Sequence, residues 1–336
     1  MSLRITMVFD APELCGGVLN AVSIARLLQR NGHHVTLSAR GSPPAWLAWQ
    51  GAWHDHRGFQ VEPPDRELII ATYWTTVAWA VAAGWPKVVH FCQGYEGDLI
   101  HLAAQREAIE AVYRRPFPTW VVSPMLVQRL APFGRSAVVL PPHVSPQFRP
   151  AWRFRPRSRP RLLVTGIFEA EVKNVPTALL AVRHLRALGM PCRVERCSTF
   201  PVNPQETQVL QADAFHYLVP PRKVPGLLRQ FDLLLFTSRA MEGFGLPVLE
   251  ALRSGVPAVI STIPSLQPFT SAGVASADPE DPAAFATAAY RLLREAKAWR
   301  EARRVGLAAA APYSEAATHA ALIAALKGLN GPGGPA

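Results

Sequence analysis

Residues 232–260 read DLLLFTSRAMEGFGLPVLEALRSGVPAVI, and no other stretch constrains the fold as tightly. An apolar strand at 232–237 runs into a loop that holds Glu242, Gly243 and Gly245. Pro247 suits the first turn of a helix, and Glu250 stands one turn further in. Gly255 then ends the helix before a second apolar strand at 256–260. A strand–glycine loop–helix unit of this kind aims unpaired N–H groups, and the positive end of the helix dipole, at one point. That point suits a phosphate. Glu242 in the loop and Glu250 on the helix, with seven residues between them, add acceptors for neutral hydroxyls. Phosphate beside hydroxyls is the chemistry of a nucleotide sugar.

Short apolar runs alternate with helical patterns along the whole chain, which argues for parallel βαβ units. Strands are expected at 3–9, 34–39, 68–73, 87–92, 120–123 and 137–140, and again at 161–166, 192–197, 214–219, 232–237, 256–260 and 274–277. The segment PPHVSPQFRPAWRFRPRSRP interrupts the pattern, with arginines at 149, 153, 155, 157, 159 and 161 among prolines. It reads either as a solvated linker or as a hinge facing a phosphate or membrane surface. The expected division is therefore 1–150, a linker at 151–160, 161–312, a last helix at 313–328 and a disordered tail at 329–336. Asp281 and Pro282 mark the N-cap and first position of one helix reaching about residue 302.

A chain of 336 residues accommodates two ordinary domains, each with its own core. With 49% hydrophobic and 18% charged residues it is globular rather than disordered. No apolar run reaches the ~20 residues of a membrane-spanning helix, and MSLRITMVFDAP reads as a first strand rather than a signal peptide. Cys15, Cys92, Cys192 and Cys197 lack metal spacing and are expected to be reduced core residues of a cytoplasmic protein. The net charge of +11 favours acidic partners such as nucleoside diphosphates or anionic lipid head groups. Nucleic acid is disfavoured, since no module for it is present.

The run Glu242-Gly243-Phe244-Gly245-Leu246-Pro247-Val248-Leu249-Glu250-Ala251, followed by Gly255-Val256-Pro257, closely resembles the donor-site motif of retaining glycosyltransferases of the GT-B fold, family 4 (glycosyl transferases group 1). The resemblance implies an α/β protein with two doubly wound parallel-sheet, Rossmann-like domains facing a cleft. The first domain would serve the acceptor and the second the nucleotide sugar, and the last helix would cross back to the first. Glu242 would orient the donor sugar, Glu250 would hold the ribose, and N–H groups near Phe244, Gly245 and Leu246 would meet the diphosphate. Gly16 and Gly17 resemble a Gly-Gly-Val that lines the cleft in many members. Gly166 and Lys173 match the loop whose lysine contacts the diphosphate, but Ile167 stands where an arginine is common. Arg239 and Arg222 are the candidates to replace that charge. Val219 falls where backbone groups hold the base. Gln93 takes the place of a cleft histidine, and Tyr95 and Glu96 beside it are acceptor-side candidates. This stretch is similar to a rhamnosyltransferase-like subset.

The implied reaction moves a sugar from a nucleoside-diphosphate sugar to a glycan, lipid-linked or small-molecule hydroxyl, with anomeric configuration retained. Lys173 and Glu242 are the catalytic candidates. No Asp-x-Asp occurs, so no metal is expected, and no cofactor is needed beyond the donor. The location implied is cytoplasmic, with room for peripheral contact at the inner face of a membrane. A non-catalytic nucleotide-sugar-binding protein and a GT-B epimerase or phosphorylase are the alternatives. Trp46, Trp49 and Trp53 share one face if 44–53 is helical, either as core or as a platform for sugar or lipid. His54-Asp55-His56 lacks a third metal ligand.

Overall fold

The structure, a computed structural model, describes residues 2–329. Residues 330–336 of the expected disordered tail lie outside the described residues. Contacts divide the chain into two units. One runs to His143 and takes in the segment from Ala316, and the other is Val144–Glu315.

The first unit is built on a parallel sheet that has seven strands among the described residues. They are β1 (Arg4–Val8), β2 (His34–Ala39), β3 (Ala52–Asp55), β4 (Leu68–Ala71), β5 (Val88–Cys92), β6 (Thr119–Val121) and β7 (Ala137–Val139). The spatial order is β3-β2-β1-β4-β5-β6-β7. Ile5 lies opposite both Val35 and Leu68, so β1 is central. Its neighbour β4 is Leu-Ile-Ile-Ala and buried throughout, as expected of a strand covered on both faces. The C-terminal helix Glu315–Gly328 is tied down by Thr318, whose hydroxyl donates to the Pro141 carbonyl at 2.8 Å, and by His319 against Asn31 at 2.8 Å.

The second unit carries β8 (Arg161–Thr165), β9 (Arg193–Ser198), β10 (Ala214–Tyr217), β11 (Leu233–Phe236), β12 (Ala258–Ser261) and β13 (Ala275–Ala277), all parallel, in the order β10-β9-β8-β11-β12-β13. The order reverses between β8 and β11. In a doubly wound sheet that reversal opens a crevice at the carboxyl ends of the two strands. The loops that emerge there are 166–174 and 237–246.

Four expectations need correction. Residues 44–53 are not a helix: 44–51 is irregular and β3 begins at Ala52. Pro43 and Pro44 open the segment, Ala48 has a left-handed φ of 45°, and its polar groups bond elsewhere. The Trp53 indole donates to the Gly41 carbonyl and Arg26 donates to the Leu47 carbonyl. The three tryptophans therefore form no helical stripe. The helix expected over 282–302 is two helices, Pro282–Leu293 and Ala296–Ala310, because Glu295 is extended (φ −128°). That break lets Trp299 enter the core, where its indole donates to the Asp232 carbonyl at 2.8 Å. Cys15 is exposed, unlike the buried Cys92 and Cys192, though all four cysteines are free.

The arginine-rich segment is neither freely solvated nor facing a phosphate along its whole length. Asp232, fully buried at the start of β11, accepts from Arg153 at 2.6 Å and Arg157 at 2.9 Å, and from the N–H groups of Arg157 and Arg161. Arg161 bonds Glu195 through both Nε and Nη2. Arg153, Arg157 and Arg161 are thus pinned within the second unit.

Candidate functional site

Topology brings the two loops of the β8/β11 crevice together, and hydrogen bonds lock them. Arg239 N–H donates to the Val172 carbonyl at 2.9 Å, and the Thr237 hydroxyl donates to the Asn174 carbonyl at 2.8 Å. Asn174, left-handed at φ 45° and buried, donates from its amide to the Pro279 carbonyl. The result places Lys173 Nζ 2.7 Å from Glu242 Oε2. The residues assigned catalytic roles from sequence therefore meet.

Two glycines make the meeting possible. Gly166 has a φ of 115°, and a Cβ there would sit 2.9 Å from Cβ of Lys173. The lysine stem packs in the space a side chain would need. Gly245 has a φ of 83°, and a Cβ there would lie 2.8 Å from Leu266. It is the N-cap of the helix Leu246–Arg253. The carbonyls of Val164 and Gly166 are held from below by the fully buried Arg196, itself paired with Glu206 at 2.6 Å.

Glu242 is mostly buried. Burial opposes its ionisation, but the Lys173 ammonium, the Ser238 hydroxyl (3.0 Å) and the Gly245 N–H outweigh it and hold the carboxyl below its ordinary range. The N–H groups of Phe244 and Leu246 have no acceptor among the described residues. Phe244 is buried, its ring 5.2 Å from Tyr313 and 5.9 Å from Phe269, which fixes the loop.

Glu250 differs from Glu242. It lies on the helix Leu246–Arg253 with no hydrogen-bond partner for its carboxylate among the described residues, and burial pushes its carboxyl up to about 7. In the unfolded chain the ordinary value is 4.5. Between those limits the native state holds a proton that the unfolded state has lost. Stability contributed by this group therefore falls as pH rises from 4.5 to about 7, and stays lower above that. Glu250→Gln is expected to be more stable than the parent above pH 7 by on the order of 1–2 kcal/mol. The gain should vanish below the carboxylate range. Urea unfolding of both proteins at two pH values checks this, and a difference independent of pH would mean that Glu250 is not an isolated carboxylate.

The other residues assigned from sequence are placed as follows. Gly16 and Gly17 form the first turn of the helix Gly16–Arg30. Gln93 closes onto that turn: its amide donates to the Gly17 carbonyl at 2.9 Å and accepts from Asn20 at 2.9 Å. Tyr95 and Glu96, the acceptor-side candidates, are both buried. The Tyr95 ring packs on Tyr113 and Phe133 with the Arg129 guanidinium 4.1 Å above it. Glu96 accepts from the Tyr113 hydroxyl and faces the N–H of Trp74, at the positive end of the helix Trp74–Ala82. Arg239 is bound to Glu280 at 2.7 Å. Val219 and Arg222 line a separate groove of about 980 Å³ with Arg149, Lys223 and Arg229, beside β10. His54, Asp55 and His56 each bond within the first unit, to Ser38, to backbone N–H groups and to the Phe9 carbonyl. No cluster able to hold a metal exists among the described residues. Sequence reasoning missed Ser238 and Arg196. Ser238 lies four residues before Glu242, a spacing that a tight loop closes. Arg196 carries no local signal.

Residues 159–295 match the family model described as glycosyl transferases group 1. No curated protein sequence matches. Among solved structures, HepE from Anabaena in complex with UDP and glucose is similar at a TM-score of 0.79 and 13% identity, covering 97% of this chain and 100% of that one. Sucrose-phosphate synthase from Thermosynechococcus elongatus is similar at 0.75 and 14%, covering 98% and 99%. A glycosyltransferase from Rickettsia africae is similar at 0.73 and 12%, covering 98% and 99%. At such identities the likeness shows the fold. The chain has the GT-B fold class, with two parallel-sheet, Rossmann-like units.

Proposed function

We propose that this chain is a retaining glycosyltransferase of the family-4 type, drawing on a nucleoside-diphosphate sugar. The observation that carries the reading is the Lys173–Glu242 pair at the β8/β11 crevice, with an unpartnered Glu250 on the helix that follows the loop. Each part has a chemical use. As the glycosidic bond stretches, negative charge collects on the diphosphate. Lys173 and the N–H groups of Phe244 and Leu246 are positioned to stabilise it where it develops. Glu242, kept ionised, orients sugar hydroxyls and steadies the oxocarbenium-like centre. Glu250 takes the ribose hydroxyls, and the strand end at Val219 takes the base through its backbone. The departing phosphate can receive the acceptor proton, so the scheme needs no separate base. The acceptor is a glycan, a lipid-linked or a small-molecule hydroxyl, with peripheral contact to an anionic membrane.

A non-catalytic nucleotide-sugar-binding role is the second reading. Ile167 supplies no charge, and Arg239 is committed to Glu280, which leaves Lys173 as the cation of the crevice loops. One experiment separates the two. Melting temperature is followed with UDP, GDP, dTDP and ADP, and release of nucleoside diphosphate from the matching sugar nucleotide is then measured in excess EDTA. A stabilising nucleotide with turnover unaffected by EDTA is expected. Stabilisation without turnover favours the binding role. Activity lost to EDTA and restored by Mg²⁺ sinks the metal-free scheme.

A further inference from the structure

We propose that the segment 149–155 is a docking edge for an anionic lipid surface. Trp152 and Phe154 would enter the head-group layer, and Arg149 and Arg155 would pair with its phosphates. Trp152 is 92% exposed and Phe154 58%. Their rings meet edge to face at 5.4 Å and 86°, so each ring's aromatic partner is the other. Arg153 between them turns inward to Asp232. The alternation of the segment therefore sorts two aromatic rings outward and one cation inward.

The backbone beneath the rings is held rigidly. Arg303 donates to the carbonyls of Arg153 and Ala151, and Arg300 donates to the Phe154 carbonyl at 3.2 Å. Both arginines come from the helix Ala296–Ala310. A tryptophan displayed on a backbone fixed by neighbouring arginines loses little conformational freedom when it binds.

Charge identifies the partner. Arg149 and Arg155 are exposed and have no ion pair among the described residues, unlike Arg153, Arg157 and Arg161. No Asp or Glu occurs between Glu110 and Glu169. Glu301, on the helix that braces the segment, is paired with Arg304. Aromatic rings with uncompensated cations match the interface of an anionic leaflet, where tryptophan settles at head-group depth and each basic residue adds attraction. A second copy of this chain fits worse, because like-charged edges would meet. No helix among the described residues is long and apolar enough to cross a membrane, so contact of this kind would be peripheral. The inference refines the membrane part of the proposed function and does not depend on sugar transfer.

The test is co-sedimentation with vesicles of phosphatidylcholine alone and of phosphatidylcholine with phosphatidylglycerol, alongside analytical ultracentrifugation and nucleotide binding. The parent is expected to bind the anionic vesicles at low salt, to release them as salt rises and to ignore the neutral ones. Trp152→Ser with Phe154→Ser should weaken that binding by about tenfold or more. Arg155→Gln should weaken it by about fivefold. The Trp152, Phe154 and Arg155 side chains are exposed and do not line the groove that contains Val219, so nucleotide binding should be unchanged, which separates this result from any failure of the transferase reading. The proposal is overturned if the parent ignores anionic vesicles at low salt, or if the aromatic double variant binds them like the parent. It is equally overturned if the aromatic substitutions dissociate a dimer and leave vesicle binding intact.

Discussion

Glu242→Gln is expected to lower turnover of the sugar nucleotide by roughly 10²-fold or more, about 2.7 kcal/mol of barrier. Nucleoside diphosphate affinity should stay within about threefold of the parent. The substitution keeps the shape of the side chain, and the amide oxygen can still accept from Ser238 Oγ, 3.0 Å away in the parent. What goes is the charge facing Lys173 Nζ at 2.7 Å. That charge is fixed in the parent, because the partners of Glu242 overcome its burial and keep it ionised. A neutral residue there no longer stabilises positive charge on the sugar in the transition state. The nucleotide, held by other groups in this reading, is little affected. Steady-state kinetics with nucleotide titration checks this, with urea unfolding as the control for folding. Wild-type turnover in a folded Glu242→Gln protein would remove Glu242 from the chemistry.

Asp232→Ala is expected to cost about 3–5 kcal/mol of stability, the range for removing one partner of a buried ion pair. Asp232 is fully buried and takes two guanidinium groups and two backbone N–H groups. Alanine leaves all four donors without their acceptor, and Arg153 is itself largely enclosed. The loss should appear as a lower urea midpoint with an unchanged slope. Asp232→Asn, which keeps an acceptor for part of this set, should cost less. A difference under about 1 kcal/mol for alanine would place this cluster among ordinary surface pairs.

The fold class was legible because parallel strands covered on both faces show as apolar runs, and every observed strand but β3 overlaps an expected one. β3 reads Ala-Trp-His-Asp, with neither an apolar run nor a clean alternation, and only its pairing with β2 reveals it. Within the candidate site the glycines and glutamates were legible, since a left-handed turn before a helix calls for glycine at 245. The meeting of Lys173 with Glu242 needed the strand order, because the crevice exists only where β8 and β11 are neighbours. The burial of Glu96 was not legible because the hydroxyl that takes it in comes from Tyr113, on the helix Arg106–Tyr113. The inward turn of Arg153 and Arg157 was not legible because Asp232, their partner, lies far along the chain.

That last arrangement bears on how the second unit could be excised as a fragment. A gene cut at the start of β8, where the sheet itself begins, would supply residues from Arg161 onward. It would leave Asp232 buried with neither Arg153 nor Arg157 and strip Arg303 of the carbonyls it serves. A cut at Val144, where the contacts divide, retains every one of these partners. The arginine-rich stretch therefore belongs to the hereditary unit of the second domain. A shuffled or transplanted copy of that domain would have to carry the stretch along as its own N-terminal brace.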